Sequence, residues 1–341
     1  MKKSLIALAI ASAVSAPAFA ATSNVDVYGK LHVALSFYDD SNYSDMQVSS
    51  NASRIGFKGT EDLGGGLAAI WQIESGINLD EQNGTFASRN SFVGLKGGFG
   101  TALIGNHDTP LKLVGRAVDL FPDTVADSRN VVGGGSDTRA DNVVAYISPN
   151  WTGFSFAAAY STDVNSAQTT AGDVADRSAY NLNVTYANGP VFVGFGYGDG
   201  DYHEANYLGA QYRLAAGFTF GDFKLVGQYD RLEDDSATLG MPGDYDAFMV
   251  GGSFTMGAMV FKASWMQGEY DAASSRDPEQ LTVGMDYNLS KRTSVYALYA
   301  DGQNVSFGAG GGTSDQVGGY PSSLTTDVDN QVISLGVAHS F

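Results

Sequence analysis

The chain has no cysteine, little charge, few basic residues and, beyond its first twenty positions, no long apolar run. Without thiols, a disulfide-stapled scaffold and a cysteine-ligated metal centre are excluded. Charged residues make up 16% of the chain, against ~25% in an average soluble domain. The 19 Lys and Arg face 37 Asp and Glu, for a net charge of −18. No basic stripe is available to neutralise phosphates, so nucleic acid is not expected as a partner. No stretch after residue 20 reaches the roughly 18 consecutive apolar residues of a transmembrane helix. The four histidines (His32, His107, His203, His339) are scattered, and neither H-E-x-x-H, G-x-S-x-G nor a P-loop occurs. No metal, cofactor or enzymatic centre is therefore expected.

What is present is glycine and aromatic rings: 43 Gly, 19 Phe, 18 Tyr and 3 Trp, with 43% hydrophobic residues overall. That content excludes disorder. The N-terminus carries Lys2 and Lys3, an apolar stretch over residues 5–14, then Ala18-Phe19-Ala20. A basic start, a short apolar segment and a small-residue site form the pattern of a secretory signal peptide. Residues 1–20 are expected to be removed between Ala20 and Ala21, leaving 21–341 as a single domain outside the cytoplasm.

The remaining chain alternates. Val25, Val27, Leu31, Val33 and Leu35 interleave with Asp26, Tyr28, Lys30, His32 and Ala34, and Leu281, Val283, Met285 and Tyr287 with Gln280, Thr282, Gly284 and Asp286. Period-two alternation predicts strands with one apolar and one polar face. About sixteen such strands fit between Val25 and Phe341. Tight Gly-rich turns alternate with longer polar stretches at 39–46, 80–85, 107–138, 163–176, 232–246, 271–278 and 305–329. A β-sandwich and a membrane barrel both alternate, and they differ in whether the apolar face meets a core or lipid. Aromatics at expected strand ends (Tyr38, Phe99, Tyr146, Tyr186, Phe220, Phe254, Tyr287) suit interfacial girdles. Polar faces rich in small residues suit an open lumen. The fold class read here is all-β, a single transmembrane antiparallel barrel.

Parity then places the charges. In Ser53-Arg54-Ile55-Gly56-Phe57-Lys58-Gly59, Arg54 and Lys58 share one face and Ile55 and Phe57 the other. Each basic residue on a lipid-facing position at mid-bilayer would cost ~2–4 kcal/mol, so Arg54 and Lys58 are assigned to the lumen. The same reasoning turns Lys30, Arg89 and Arg139 inward. Stretch 107–138 carries Asp108, Asp119, Asp123, Asp127 and Asp137 around an apolar centre, Leu120-Phe121-Pro122. Folded into the lumen, it would set carboxylates against a basic wall, filtering solutes by size and charge. As an external loop, its acids would simply be solvated.

Residues 53–67 (SRIGFKGTEDLGGGL), residues 89–100 with FVGLKGGFG, residues 289–293 (LSKRT) and the terminal His339-Ser340-Phe341 resemble the general porins of Gram-negative outer membranes. The resemblance implies a sixteen-stranded barrel, assembled as a homotrimer in outer-membrane lipid and lipopolysaccharide, with the third loop folded inward. It implies a passive channel for ions and small hydrophilic solutes, and Lys30, Arg54, Arg89 and Arg139 as the basic side of its constriction. Lys58, inward by parity, is grouped with them. Asp119 and Asp123, followed by Asp127, match the acidic side. Phe341 is similar to the terminal signal read by the barrel assembly machinery. Two places depart from the family pattern: Ser340 stands where strongly anion-preferring members carry a basic residue, and the loop reads Leu120-Phe121-Pro122-Asp123 rather than Pro-Glu-Phe. A solute-selective channel, a barrel enzyme and an adhesin are the alternative readings.

Overall fold

The computed structural model describes residues 24–40, 43–80, 86–133, 137–162, 178–200, 209–233, 244–271, 277–305, 307 and 329–341. The expected cleavage site at Ala20 and Ala21 lies outside these residues, as do most of the polar stretches at 163–176 and 305–329.

The strands are β1 (Asn24–Asp40), β2 (Tyr43–Ser50), β3 (Arg54–Gly64), β4 (Leu67–Gly76), β5 (Ser91–Gly97), β6 (Gly100–Asp108), β7 (Arg139–Ile147), β8 (Phe154–Ser161) and β9 (Ala179–Asn188). They continue with β10 (Val191–Gly200), β11 (Gln211–Phe220), β12 (Phe223–Leu232), β13 (Tyr245–Met256), β14 (Met259–Tyr270), β15 (Glu279–Asn288), β16 (Thr293–Gln303) and β17 (Asp329–Ser340). A seven-residue helix, α1 (Pro110–Arg116), lies between β6 and β7. From β3 onward each strand pairs antiparallel with the next, and β17 returns to β1. The sheet is closed, so no edge is left unpaired in lipid.

The seventeen runs make sixteen staves, because β2 and β3 are two halves of one stave on β1. Val33 opposes Ser50 and Lys30 opposes Arg54. Two residues of β1 therefore face three of its partner, Asn51 to Ser53, which is a bulge of one residue. Ala52 takes a positive φ of 51° there. The bulge is pinned by Asn51 N donating to His32 O at 2.8 Å and by His32 N donating to Ser53 Oγ at 2.9 Å. The expected polar loop at 39–46 is corrected by this pairing: β1 runs to Asp40 and β2 begins at Tyr43.

The outward positions are apolar and uncovered, among them Val27, Val93, Ile104, Leu225, Val250 and Ile333. A protein in water would bury such a belt; lipid accepts it. Stacked rings bound it at the short-turn end, where Phe218, Phe220, Phe223 and Phe254 follow one another at centroid distances of 5.9, 5.4 and 4.6 Å. At the long-loop end Tyr180, Tyr197 and Tyr212 form a second band. Rings at both interfaces match an aromatic girdle. Tyr38 is the exception to the expected set: it shares the parity of Lys30 and Ser36 and packs inside the barrel, while Phe37 faces out. The short turns need glycine where the chain reverses most sharply, as at Gly64, Gly65 and Gly66 with φ of 83°, 62° and 80°.

Candidate functional site

The interior is crossed by the segment between β6 and β7. Thr109 caps α1, its side chain accepting from Lys112 N at 3.3 Å, and Pro110 opens the first turn. The helix docks on inward side chains of the wall: Leu111 N donates to Asn181 Oδ1 at 2.6 Å, and Asn183 Nδ2 donates to Pro110 O at 2.7 Å. Further on, Asn130 Nδ2 donates to Gln280 Oε1 at 2.9 Å, Gln280 Nε2 to Ala126 O at 3.1 Å, and Tyr245 OH to Val131 O at 2.8 Å. Lys30 of β1 reaches Asp123 at 3.0 Å. Contacts with the inner faces of β1, β9, β13 and β15 together place this segment across the lumen. Its apolar side chains supply the hold: Leu111, Val114, Leu120 and Phe121 are all buried against the wall, contributing about 1.5–3 kcal/mol each.

At the tip, Pro122 and Asp123 turn sharply, with Asp123 at a positive φ of 59°, a conformation Asp tolerates better than most residues. That turn presents its carboxylate to three cations. Oδ1 accepts from Arg116 Nη2 at 2.6 Å, Oδ2 accepts from Lys30 Nζ at 3.0 Å, and Arg54 Nη1 stands 3.8 Å from Oδ2. Arg54 also lies 4.0 Å from Glu74, which binds Arg89 Nε at 2.6 Å and accepts from Tyr28 OH at 2.8 Å. On the loop side Arg116 continues to Asp127 at 2.8 Å, and Asp127 to Arg129 Nε at 2.9 Å. The result is an unbroken alternation of charge from Arg89 to Arg129 in the loop. Arg89 lies in the bend before β5 rather than in the strand expected there. It reaches inward from that bend; within β5 its parity would be that of the outward Val93 and Leu95.

Exposure decides which charges a passing solute meets. The side chains of Lys30, Arg54 and Arg116 are 21%, 26% and 25% exposed, those of Asp123 and Glu74 10% and 9%. The accessible face of the cluster is therefore cationic. Burial raises the cost of ionising Asp123, but the charges of Arg116, Lys30 and Arg54 outweigh it and hold its carboxyl well below the usual carboxylate range. Asp119 goes the other way: burial, then the charge of Asp127, push its carboxyl up.

The structure brings Lys30, Arg54 and Asp123 together directly, with Arg89 joined through Glu74. Lys58 lies apart, with its Nζ 5.1 Å from the centre of the Tyr28 ring. Arg139 belongs to another group, with Nη2 3.0 Å from Asp108 and Nε donating to Asn90 Oδ1 at 2.6 Å, while Lys112 meets the same Asp108 at 3.1 Å. Asp119 and Asp127 turn into the loop itself, accepting from Phe121 N and from Arg129 N at 2.8 and 3.1 Å. Sequence reasoning missed Glu74, Arg116 and Arg129. Glu74 was open to the lipid-cost argument used for Arg54, and the two arginines lie within the stretch weighed only for its acids. It also missed Arg213, fully buried on β11, which pairs with Asp230 and with Asp137 at the end of the segment.

A closed sixteen-stave barrel with an apolar, ring-bounded exterior and a charged segment across its lumen is an outer-membrane channel. Comparison with known proteins agrees. Residues 7–306 match the model of the Gram-negative porin family. Outer membrane porin protein 32 of Delftia acidovorans is 30% identical over 366 residues, covering the whole of both chains. Major outer membrane protein P.IB of Neisseria gonorrhoeae is 30% identical over 86% of this chain and 92% of its own. Among solved structures, the anion-selective porin from Comamonas acidovorans aligns with a TM-score of 0.73 at 26% identity, over 94% of this chain and 100% of its own. The chain belongs to the Gram-negative porin family and is an outer-membrane porin, a passive channel.

Proposed function

We propose that the passage narrows where the 109–132 segment faces β1, β3 and β4, and that Lys30, Arg54 and Arg116 make this constriction prefer small hydrophilic anions. The observation that carries the reading is the Asp123 carboxylate held between Lys30 and Arg116, which leaves three cations more accessible than the acids beside them. Arg89 acts by neutralising Glu74, and Asp119 and Asp127 shape the loop. Arg139 and Lys58 line the lumen away from the narrowest point. The anion-selective relative supports the sign of the preference; the net charge of −18 opposes it at longer range, where salt screens within about 10 Å at 0.1 M.

The mature protein, residues 21–341, assembles as a homotrimer in lipid and lipopolysaccharide, and Phe341 is read by the barrel assembly machinery. An OmpT of Vibrio cholerae solved in a trimer form shares this fold, at a TM-score of 0.68. The channel performs no chemistry and holds no cofactor.

Planar-bilayer recording under a salt gradient tests the reading. The expected reversal potential is that of an anion-preferring pore, opening in steps of three. In a Lys30→Ala/Arg54→Ala variant the preference should shift toward cations by about threefold or more. A cation-preferring parent, or a variant indistinguishable from it, would remove these residues from the filter.

A further inference from the structure

The inner wall carries glycines at four points where the crossing segment presses closest. A Cβ on Gly196 would stand 3.1 Å from Leu111, and one on Gly194 2.9 Å from Val114 Cγ1. On Gly251 it would stand 2.9 Å from Leu120 Cδ1, and on Gly284 2.8 Å from Phe121 Cε1. Gly194 and Gly196 sit on β10, Gly251 on β13 and Gly284 on β15, and each faces one apolar residue of the segment. The strands cannot yield, because their backbones are tied into ladders on both sides. A Cβ at Gly251 or Gly284 also meets the neighbouring strand, Ala263 O at 3.0 Å or Ala297 O at 3.1 Å, but those atoms are held in the ladder, so the nearer side chain of the segment is the one that gives way.

We propose that Gly251 and Gly284 set the bore of the channel. They fix how deeply Leu120 and Phe121 seat in the wall, and Asp123 follows two residues after Phe121. The depth of those two seats therefore fixes how far the segment stands out from the wall and how much of the lumen beside the Lys30–Asp123–Arg54 contact stays open. These glycines touch no solute, so they are positioning residues for the filter. The inference rests on the reading of this segment as the constriction, and deepens it by naming what holds the constriction at its width.

The geometry makes a directional demand. Filling a notch lifts the tip into the passage, while removing the side chain that fills the notch releases it. Gly217 provides the contrast. It belongs to the same inner face, but a Cβ there would meet nothing closer than 3.8 Å.

The test is single-channel conductance of Gly284→Ala, Gly251→Ala, Phe121→Ala and Gly217→Ala in planar bilayers, with barrel folding followed separately by circular dichroism. Gly284→Ala and Gly251→Ala are expected to lower conductance by about 1.5-fold, since flux follows pore diameter. The Gly284→Ala/Phe121→Ala pair should recover it, and Gly217→Ala should equal the parent. If Gly284→Ala does not fold, Phe121→Ala alone still decides the matter: a conductance above the parent's supports the proposal, and an unchanged one overturns it. Equal losses in Gly284→Ala and Gly217→Ala would also overturn it. A parent that folds but does not conduct would instead defeat the channel reading beneath it.

Discussion

Two carboxylates four residues apart behave as opposites because of what surrounds them. Asp123 is bound by three cations and stays ionised far into acid; the stability it contributes is present above the ordinary carboxylate value and is lost only as pH falls through its lowered native value. Asp119 has its carboxyl pushed up by burial and by Asp127, so the native state holds its proton more tightly than the unfolded chain. The stability it contributes is full below the ordinary value and is lost as pH rises through the raised one. Asp119→Asn keeps the acceptor for Phe121 N and removes that loss. The variant is expected to gain on the order of 1 kcal/mol over the parent at pH 8 and nothing at pH 4, read from the rate of proteolysis within the crossing segment at each pH. An equal gain at both would show that Asp119 does not titrate. Which acids face the lumen was not legible in the sequence. Parity decides direction in a strand, but within 107–138 no periodicity exists, and only the turn at Pro122-Asp123 selects Asp123 over its neighbours.

At the scale of elements, the bulge at Asn51 to Ser53 is what delivers Arg54. In β2 the even-numbered residues Met46 and Val48 face outward, whereas in β3 the even-numbered Arg54 and Lys58 face inward. One extra residue switches the parity, since a shift of one exchanges the faces of a strand. Deleting Ala52, the residue at positive φ, would make the stave regular and turn both basic side chains toward lipid, at ~2–4 kcal/mol each near mid-bilayer. The deletion variant is therefore expected to fail to fold into liposomes, whereas Ala52→Gly, which accepts the same φ, folds as the parent does. A deletion variant that folds with unaltered selectivity would show that β3 does not take its register from the bulge. Strand content, the inward assignment of Arg54 and the alternation of turn lengths were legible from period and charge. The split stave was not: parity is read within a run, and an inserted residue is silent until pairing reveals it. The same limit misassigned Tyr38, whose position near the end of β1 looked interfacial while its parity, set from Lys30, points inward.

The whole molecule closes along one seam. Gly29 and Phe341 exchange two backbone hydrogen bonds, each 3.1 Å, and the Phe341 ring covers Gly29 where a Cβ would overlap it. Phe341→Ala removes that cover from a half-exposed site, and the expected loss is about 1–2 kcal/mol, measured by denaturation of barrels folded into detergent without any accessory protein. Conductance of those that fold should match the parent. An undiminished midpoint would assign Phe341 to recognition alone. That sixteen staves would close was readable from the count and from the absence of any uncharged helix-length run; what fills the lumen was not, because its contacts join residues far apart. Asn130 waits for Gln280, 150 residues later, and Tyr245 follows Val131 by 114. Contacts so distant in sequence form late. The seats for Leu120 and Phe121 do not exist until β13 and β15 have been laid down. The aperture therefore cannot reach its final width before the strands that carry these seats are paired, so the permeability of the pore is finished late in its maturation.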